Sequence, residues 1–155
     1  MVGLHNHDQV GNRAAGDRLP RIAALSMLRI GATLLLTSPF TPLLFMGEEW
    51  ASSSPWQFFT SHPEPELGKL TAEGRIAEFA AMGWDPAVVP DPQAESTFLD
   101  SKIDWSELGV DGHAAMLSLY RQLAALRRER PELTDPRFDR AETHHDDAQP
   151  WLTLA

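Results

Sequence analysis

Two neighbouring side chains near the start of the chain, His7 and Asp8, could take part in breaking a glycosidic bond. An ionised carboxylate stabilises the positive charge of an oxocarbenium-like transition state, and glycosidic cleavage commonly uses a pair of carboxyl groups. An imidazole can donate hydrogen bonds to hydroxyl groups. Asp8 is therefore a candidate member of a carboxylate set, and His7 is a candidate ligand of the same sugar.

The two residues stand in a run of polar and small side chains over residues 6–13. Short polar side chains hydrogen-bond the backbone and compete with helix, so residues 5–19 are predicted to form a loop. A loop with this many donors and acceptors can orient a polyhydroxylated ligand. The alternative is structural, with Asp8 and Asn12 capping the loop or the helix that follows it.

A second pair of carboxylates, Glu48 and Glu49, follows an apolar run at residues 42–46. A continuous apolar run of this length is typical of a strand buried on both faces. In α/β folds the functional residues gather at the carboxyl ends of such strands. One glutamate is predicted to pair with Arg13 or Arg18, although adjacent glutamates are more often solvated or placed in the first turn of a helix.

Four aromatic side chains crowd into a short segment that begins at the end of this turn: Trp50, Trp56, Phe58 and Phe59. Aromatic rings stack on the apolar C–H faces of sugars, which would make the cluster part of a carbohydrate site. Large aromatic side chains also dominate apolar packing, so the cluster could equally be part of a core or a lid. The residue types leave both interpretations open.

The elements that would position these residues alternate between helix and strand. Apolar residues recur at helical spacing over residues ~21–36, 66–82 and 113–130. Residues 42–46 and 151–154 are predicted to be strands. An alternation of helices with buried strands indicates the α/β class.

The composition excludes several classes of protein. The chain has 155 residues, a formal net charge of -9 and no cysteine. The length suits one domain, and the acidic balance disfavours nucleic acid and anionic membranes as partners. The absence of cysteine excludes disulfides and thiol catalysis and fits a reducing compartment. No signal peptide and no apolar run long enough to span a bilayer is visible, so we expect a cytoplasmic localisation.

Two histidine-containing segments are candidate metal ligands, but neither has a recognised ligand spacing. His5 and His7 would lie on one side of an extended segment, whereas residues 144–147 are more simply interpreted as a surface loop. The chain also lacks a serine nucleophile elbow and a glycine-rich phosphate loop. We predict no metal and no cofactor.

Several blocks of sequence, taken together and in order, carry a resemblance to a known family. They are residues 6–13, 16–19, 42–50, 55–59, 73–75, 78–79, 91–93, 97–98 and 101–102. In these blocks, over roughly residues 4–130, the chain resembles the alpha-amylase family of glycoside hydrolases and, within it, a trehalose-forming branch.

The resemblance implies a (β/α)8 barrel followed by a β-sandwich-like domain. Residues 1–131 would be the C-terminal part of the barrel, about strands seven and eight with their helices, and residues 132–155 the start of the β domain. Residues 2–6 would end the seventh strand, residues ~21–36 would form the seventh helix, and residues 43–46 would form the eighth strand.

The resemblance also implies roles for individual residues. Asp8 matches the carboxylate that stabilises the transition state by binding ring hydroxyls, and His7 matches a histidine that hydrogen-bonds the same sugar. Glu48 and Glu49 match a strand-end position whose role is partly structural. The further residues expected to bind substrate, with the last as a wall of the cleft, are Asn6, Gln9, Arg13, Glu49 and Trp50.

One departure from the family limits these expectations. The aspartate nucleophile and the glutamate acid of such enzymes lie on earlier strands, and a complete barrel needs about 250 residues. We therefore expect a C-terminal piece of an enzyme that hydrolyses the α-1,4 bond next to the terminal trehalosyl unit of maltooligosyltrehalose. The piece alone would be inactive and, with unpaired strand edges, poorly stable. The alternatives are a non-catalytic carbohydrate-binding module and a fragment that complements the N-terminal part of the same enzyme.

Overall fold

Helices form most of the regular secondary structure. A computed structural model describes residues 1–154, apart from the side chains of Phe138 and Pro150. The α-helices are α1 (His7–Gly11), α2 (Leu19–Ile22), α3 (Leu25–Thr37), α4 (Pro65–Ala81), α5 (Glu95–Asp100) and α6 (Asp111–Glu129). Short 3-10 helices occupy Glu48–Trp50, Pro86–Val88, Trp105–Gly109, Pro131–Thr134 and Phe138–Arg140. The strands are β1 (Thr143–Asp146) and β2 (Gln149–Leu154).

The two longest helices confirm the predictions from helical periodicity. α4 begins at Pro65, whose missing N–H suits the first turn of a helix, and it is followed by Gly83 with a left-handed φ of 87°. α6 is followed by Arg130 in an extended conformation, as expected for the residue before Pro131. Proline and glycine therefore mark these helix ends in the sequence itself.

The helix predicted over residues ~21–36 is interrupted. α2 ends at Ile22, the backbone is extended at Ala23 and Ala24, and α3 begins at Leu25. The break lets Ala23 and Leu25 pack against the buried cluster between α3 and α6. Apolar residues keep their helical spacing through the break, so periodicity alone did not reveal it.

The loop predicted over residues 5–19 is wrong at α1. The Asn6 Oδ1 accepts a hydrogen bond from the Asp8 N–H at 2.8 Å. The Gln9 Oε1 accepts one from the Asn6 N–H, also at 2.8 Å. This reciprocal pair is a capping box. The polar side chains that predicted a loop instead stabilise the start of a helix, and the capping residue is Asn6, not Asp8.

The two strands predicted for residues 2–6 and 43–46 are reduced to one parallel bridge in the described chain. Val2 faces Pro42 at this bridge, and the Leu43 N–H donates to the Val2 carbonyl at 2.7 Å. The apolar side chains that follow are half-buried or exposed. Two short segments do not make an independently stable sheet, which accounts for the difference from the prediction.

The main core lies between α3 and α6. Its buried members are Leu28, Ala32, Leu36, Ala51, Met116, Tyr120 and Leu123. Arg127 of α6 donates to three carbonyls at and beyond the end of α3, those of Leu36, Ser38 and Phe40, at 3.0, 2.5 and 2.8 Å. Carbonyls at a helix end lack partners within the helix, so Arg127 fixes the path of the chain from α3 toward the parallel bridge.

β1 and β2 form an antiparallel hairpin with Thr143 opposite Leu154. The strand predicted for residues 151–154 is confirmed within β2. Residues 144–147 were predicted as a surface loop, but they lie largely on β1, with exposed histidine side chains. The part of the chain that the structure describes holds no cluster of acidic, histidine or cysteine side chains suited to a metal ion. Within the same part, no helix has both the length and the apolar character needed to cross a membrane.

Candidate functional site

An open groove of about 420 Å³ lies beside α1. The side chains that matter most for its chemistry are His7, Asp8, Trp56, Phe58, Phe59 and Arg75. The structure therefore brings the candidate carboxylate and imidazole together with three of the four aromatic residues that cluster in the sequence.

His7 and Asp8 lie side by side in the first turn of α1. Their side chains are 67% and 70% exposed, and the His7 Nε2 lies 3.2 Å from an Asp8 carboxylate oxygen. The capping box at Asn6 fixes the backbone that carries them. A carboxylate held in this way at the edge of a groove can accept hydrogen bonds from ligand hydroxyls and stabilise positive charge that develops nearby.

Trp56, Phe58 and Phe59 form an aromatic wall of the groove, with Trp56 at its centre. The Trp56 ring packs edge-to-face against Phe45 and Phe59, with centroid distances of 5.7 and 5.5 Å. Phe59 in turn packs against Phe98 at 5.2 Å. The backbone N–H of Trp56 donates to the Gly16 carbonyl at 2.8 Å, which ties the wall to the loop after α1. The indole is thus held where the apolar face of a sugar ring could stack on it.

Trp50, predicted to be a wall of the cleft, is buried instead, and that prediction is wrong. It is 2% exposed, its Nε1–H donates to Glu107 at 3.2 Å, and its ring centroid lies 5.1 Å from that of Trp105. Gly47, with a left-handed φ of 83°, starts the 3-10 turn that directs Trp50 into the protein. The sequence places Trp50 and Trp56 in one aromatic cluster and does not show which of them faces the groove.

Glu48 is a buried structural carboxylate. Its Oε1 accepts the Tyr120 hydroxyl at 2.6 Å, its Oε2 accepts the Phe45 N–H at 3.3 Å, and the same Oε2 lies 3.7 Å from the His5 Nδ1. Burial raises the pKa of the Glu48 carboxyl, and the two donors oppose this rise. Burial, and then the charge of Arg18, lowers the pKa of His5 to about 4, which keeps this imidazole neutral near pH 7. Glu48 therefore joins its turn to α6.

The described ion pairs do not join Arg13 or Arg18 to Glu48 or Glu49, although the sequence predicted such a pair. Burial lowers the pKa of Arg18, and the negative charges of Glu107, Glu49 and Glu48 oppose this change, so both glutamates still act on Arg18. The buried Arg18 donates to the Met46 carbonyl at 2.6 Å. Arg13 lies 3.9 Å from a carboxylate oxygen of Asp17. Arg18 holds the segment before the turn through its backbone, so the two loops are joined without a direct ion pair.

Four other residues expected to bind substrate, Asn6, Gln9, Arg13 and Glu49, are not among the residues that line the groove. Asn6 and Gln9 hydrogen-bond each other at the start of α1, so they position the two residues that do line it. Their own contacts with substrate stay predictions, as do those of Arg13 and Glu49. Sequence reasoning missed Arg75 as a groove residue, because no local signal places α4 beside α1.

The fold defines the class of protein. The chain is similar in structure to a protein described as an alpha amylase from Salmonella typhimurium, with a TM-score of 0.82 and 39% sequence identity. The match covers 93% of this chain and 24% of that chain. The α/β class is therefore confirmed, and the chain has the fold of part of an alpha-amylase-type (β/α)8 barrel. No protein-family model matches the sequence.

The chain is also similar in sequence to proteins named malto-oligosyltrehalose trehalohydrolase. The chain is 63% identical over 152 residues to a malto-oligosyltrehalose trehalohydrolase from Brevibacterium helvolum, covering 98% of this chain and 26% of the relative. It is 49% identical to one from Mycobacterium tuberculosis, covering 96% and 26%, and 36% identical to one from Saccharolobus solfataricus, covering 83% and 21%. The chain is thus similar over most of its length to proteins named malto-oligosyltrehalose trehalohydrolase, and it spans about a quarter of the length of these relatives.

Proposed function

We propose that this chain contributes part of the substrate site of a malto-oligosyltrehalose trehalohydrolase. The groove beside α1 would hold a glucose ring next to the α-1,4 bond that is hydrolysed when trehalose is released. The observation that carries this proposal is that His7 and Asp8 share one open groove with the aromatic wall around Trp56. Polar groups opposite an aromatic face suit a sugar, which has hydroxyls at its edge and apolar C–H bonds on its faces.

Each groove residue would have a distinct task. Asp8 would accept hydrogen bonds from ring hydroxyls and stabilise the positive charge of the oxocarbenium-like transition state. His7, 3.2 Å from that carboxylate, would donate a hydrogen bond to the same sugar. Trp56 would stack on the apolar face of the ring. The ligand is thereby oriented on two sides before any bond breaks.

The remaining chemistry would come from outside the described residues. Asp8 is the one carboxylate among the residues that line the groove. Hydrolysis of a glycosidic bond also needs a general acid and, depending on the stereochemical outcome, a nucleophile or a general base. The resemblance to alpha-amylases assigns these tasks to earlier strands of the barrel. We therefore propose that the isolated chain is inactive and that the rest of the enzyme is its partner.

The surface of the chain supports such a partner. Met27, Ile30 and Leu34 form an exposed apolar stripe on α3, and Leu43 and Leu44 are also exposed. In a barrel, residues of this kind are covered by neighbouring strands and helices. We propose that they are covered by the portion of the enzyme that corresponds to the other three quarters of the relatives, and that the enzyme is cytoplasmic, as the lack of cysteine suggests.

A non-catalytic carbohydrate-binding module is not favoured. The relatives matched over nearly the whole chain are named as trehalohydrolases, and the matched region includes the groove residues. The boundary between a barrel part at residues 1–131 and a β domain at residues 132–155 stays a prediction.

A chimaera tests the proposed function. The 155-residue chain replaces the matching region of the Brevibacterium helvolum relative, to which it is 63% identical. We expect the chimaera to release trehalose from maltooligosyltrehalose, and we expect the purified 155-residue chain to release none. Release of trehalose is measured by chromatography of the products.

The controls are the intact relative and the relative with the matching region deleted. A folded chimaera without activity would contradict the proposal that the groove serves this substrate. Turnover by the isolated chain would contradict the proposal that its chemistry depends on the rest of the enzyme.

A further inference from the structure

Arg75 links the groove to the C-terminal end of α1. Its Nη2 donates to the Gly11 carbonyl, and both terminal nitrogens lie 3.3 Å from the Asn12 Oδ1. Gly11 is the last residue of α1, and Asn12 is its C-cap. Carbonyls at a helix C-terminus have no partner within the helix, so the guanidinium of Arg75 completes the end of α1 from a different element.

The guanidinium is itself held firmly. It lies between two rings, with its central carbon 4.6 Å from the centroid of Phe58 and 4.4 Å from that of Phe79. Its Nη1 also donates to the Glu78 carboxylate at 3.0 Å. The Arg75 side chain is 12% exposed. Arg75 therefore connects α4, the aromatic wall and α1 at one point.

α1 depends on such external contacts. A helix of five residues is too short to be stable by itself, since isolated helices are marginal below about 12 residues. The capping box holds its start, whereas Arg75 holds its end. The residues between these two attachments include His7 and Asp8, so the position of Asp8 in the groove depends on both.

We propose that Arg75 is a positioning residue that fixes Asp8 for transition-state stabilisation. This inference rests on the function proposed for Asp8. Both terminal nitrogens of Arg75 are already engaged by protein acceptors, which favours positioning over direct binding of substrate. Lysine would keep the charge but could not reproduce the planar, two-armed contact or the stacking between two rings.

The test uses the chimaera with Arg75→Lys and Arg75→Gln, each alone and combined with Asp8→Asn. We expect either Arg75 substitution to lower kcat about tenfold or more, with little change in KM, because small displacements of a reacting geometry have effects of this size. In the double variants we expect kcat close to that of Asp8→Asn alone. Lys69→Gln on the same helix is the matched control and should leave kcat unchanged, since Lys69 is 63% exposed and lies away from the groove.

The outcomes separate this inference from the proposed function. If Asp8→Asn leaves kcat unchanged, the proposed function fails. If Asp8→Asn lowers kcat and neither Arg75 variant does, this inference alone is wrong. Two other results would also overturn it. If the losses of kcat from Arg75 and Asp8 multiply in the double variants, the two residues act independently. If the Arg75 variants raise KM and leave kcat unchanged, Arg75 contributes to binding and not to positioning Asp8. If the Arg75→Gln chimaera does not fold, the kcat of the Arg75→Lys chimaera decides between these outcomes.

Discussion

Asp8→Asn in the chimaera is expected to lower kcat about 100-fold, with a much smaller effect on KM. The substitution keeps the shape of the side chain and removes its charge. An electrostatic contact made in the transition state is commonly worth a factor of this size, and loss of an interaction specific to that state appears in kcat. Steady-state kinetics of trehalose release measures the effect.

The stability of the chimaera should not change with this substitution. The Asp8 side chain is 70% exposed, and the capping of α1 uses Asn6, so the fold does not depend on the carboxylate. The matched control is Asp147→Asn, which removes the same charge from a side chain that is 97% exposed on the distant hairpin. A rate for Asp8→Asn equal to that of Asp147→Asn would refute the role assigned to Asp8.

Gly16→Ala is expected to lower the stability of the chimaera by about 3 kcal/mol, since left-handed strain and a steric clash each cost about 1–3 kcal/mol. Gly16 has a left-handed φ of 68°, and its carbonyl accepts a hydrogen bond from the backbone N–H of Trp56. A Cβ there would lie 2.4 Å from backbone atoms of Trp56 and 2.7 Å from the Gln57 nitrogen. Because backbone atoms cannot rotate away, the loop and the aromatic wall must separate. The apparent melting temperature measures this effect.

Gly74→Ala provides a control of opposite sign. Gly74 lies within α4, and a Cβ there would meet nothing within 4 Å. Alanine in a helix interior is favoured over glycine by about 0.5–1 kcal/mol, so the melting temperature should rise slightly. A Gly16→Ala chimaera as stable as its parent would mean that the loop and the wall do not approach each other as described.

The sequence predicts elements well where the signal is local. Apolar residues at helical spacing predicted both α4 and α6. Pro65 marked the start of α4, and Pro131 marked the end of α6. The chemistry of the run at residues 6–13 selected His7 and Asp8, which line the groove, but it also selected Asn6, Gln9 and Arg13, which do not. The failure at residues 43–46 has a physical cause, because a parallel strand is defined by neighbours that lie far away in sequence or outside the chain.

Side-chain direction and long-range contacts could not be predicted. The turn at Gly47 buries Trp50 and leaves Trp56 to form the aromatic wall, although both belong to one cluster in the sequence. Arg75 reaches α1 across more than sixty positions of sequence. The Glu48–Tyr120 hydrogen bond spans an even longer separation. Contacts of this kind depend on tertiary packing, which single-sequence patterns do not encode.

A crystal structure of the Asp8→Asn chimaera with maltooligosyltrehalose tests the central claim most directly. Because a variant that is about 100-fold slower still turns over substrate during crystal growth, the maltooligosyltrehalose is supplied as a sulfur-linked analogue that resists hydrolysis. We predict a glucose ring in the groove, within hydrogen-bonding distance of His7 and residue 8 and stacked against Trp56. Substrate bound elsewhere in the chimaera, with this groove empty, would contradict the account.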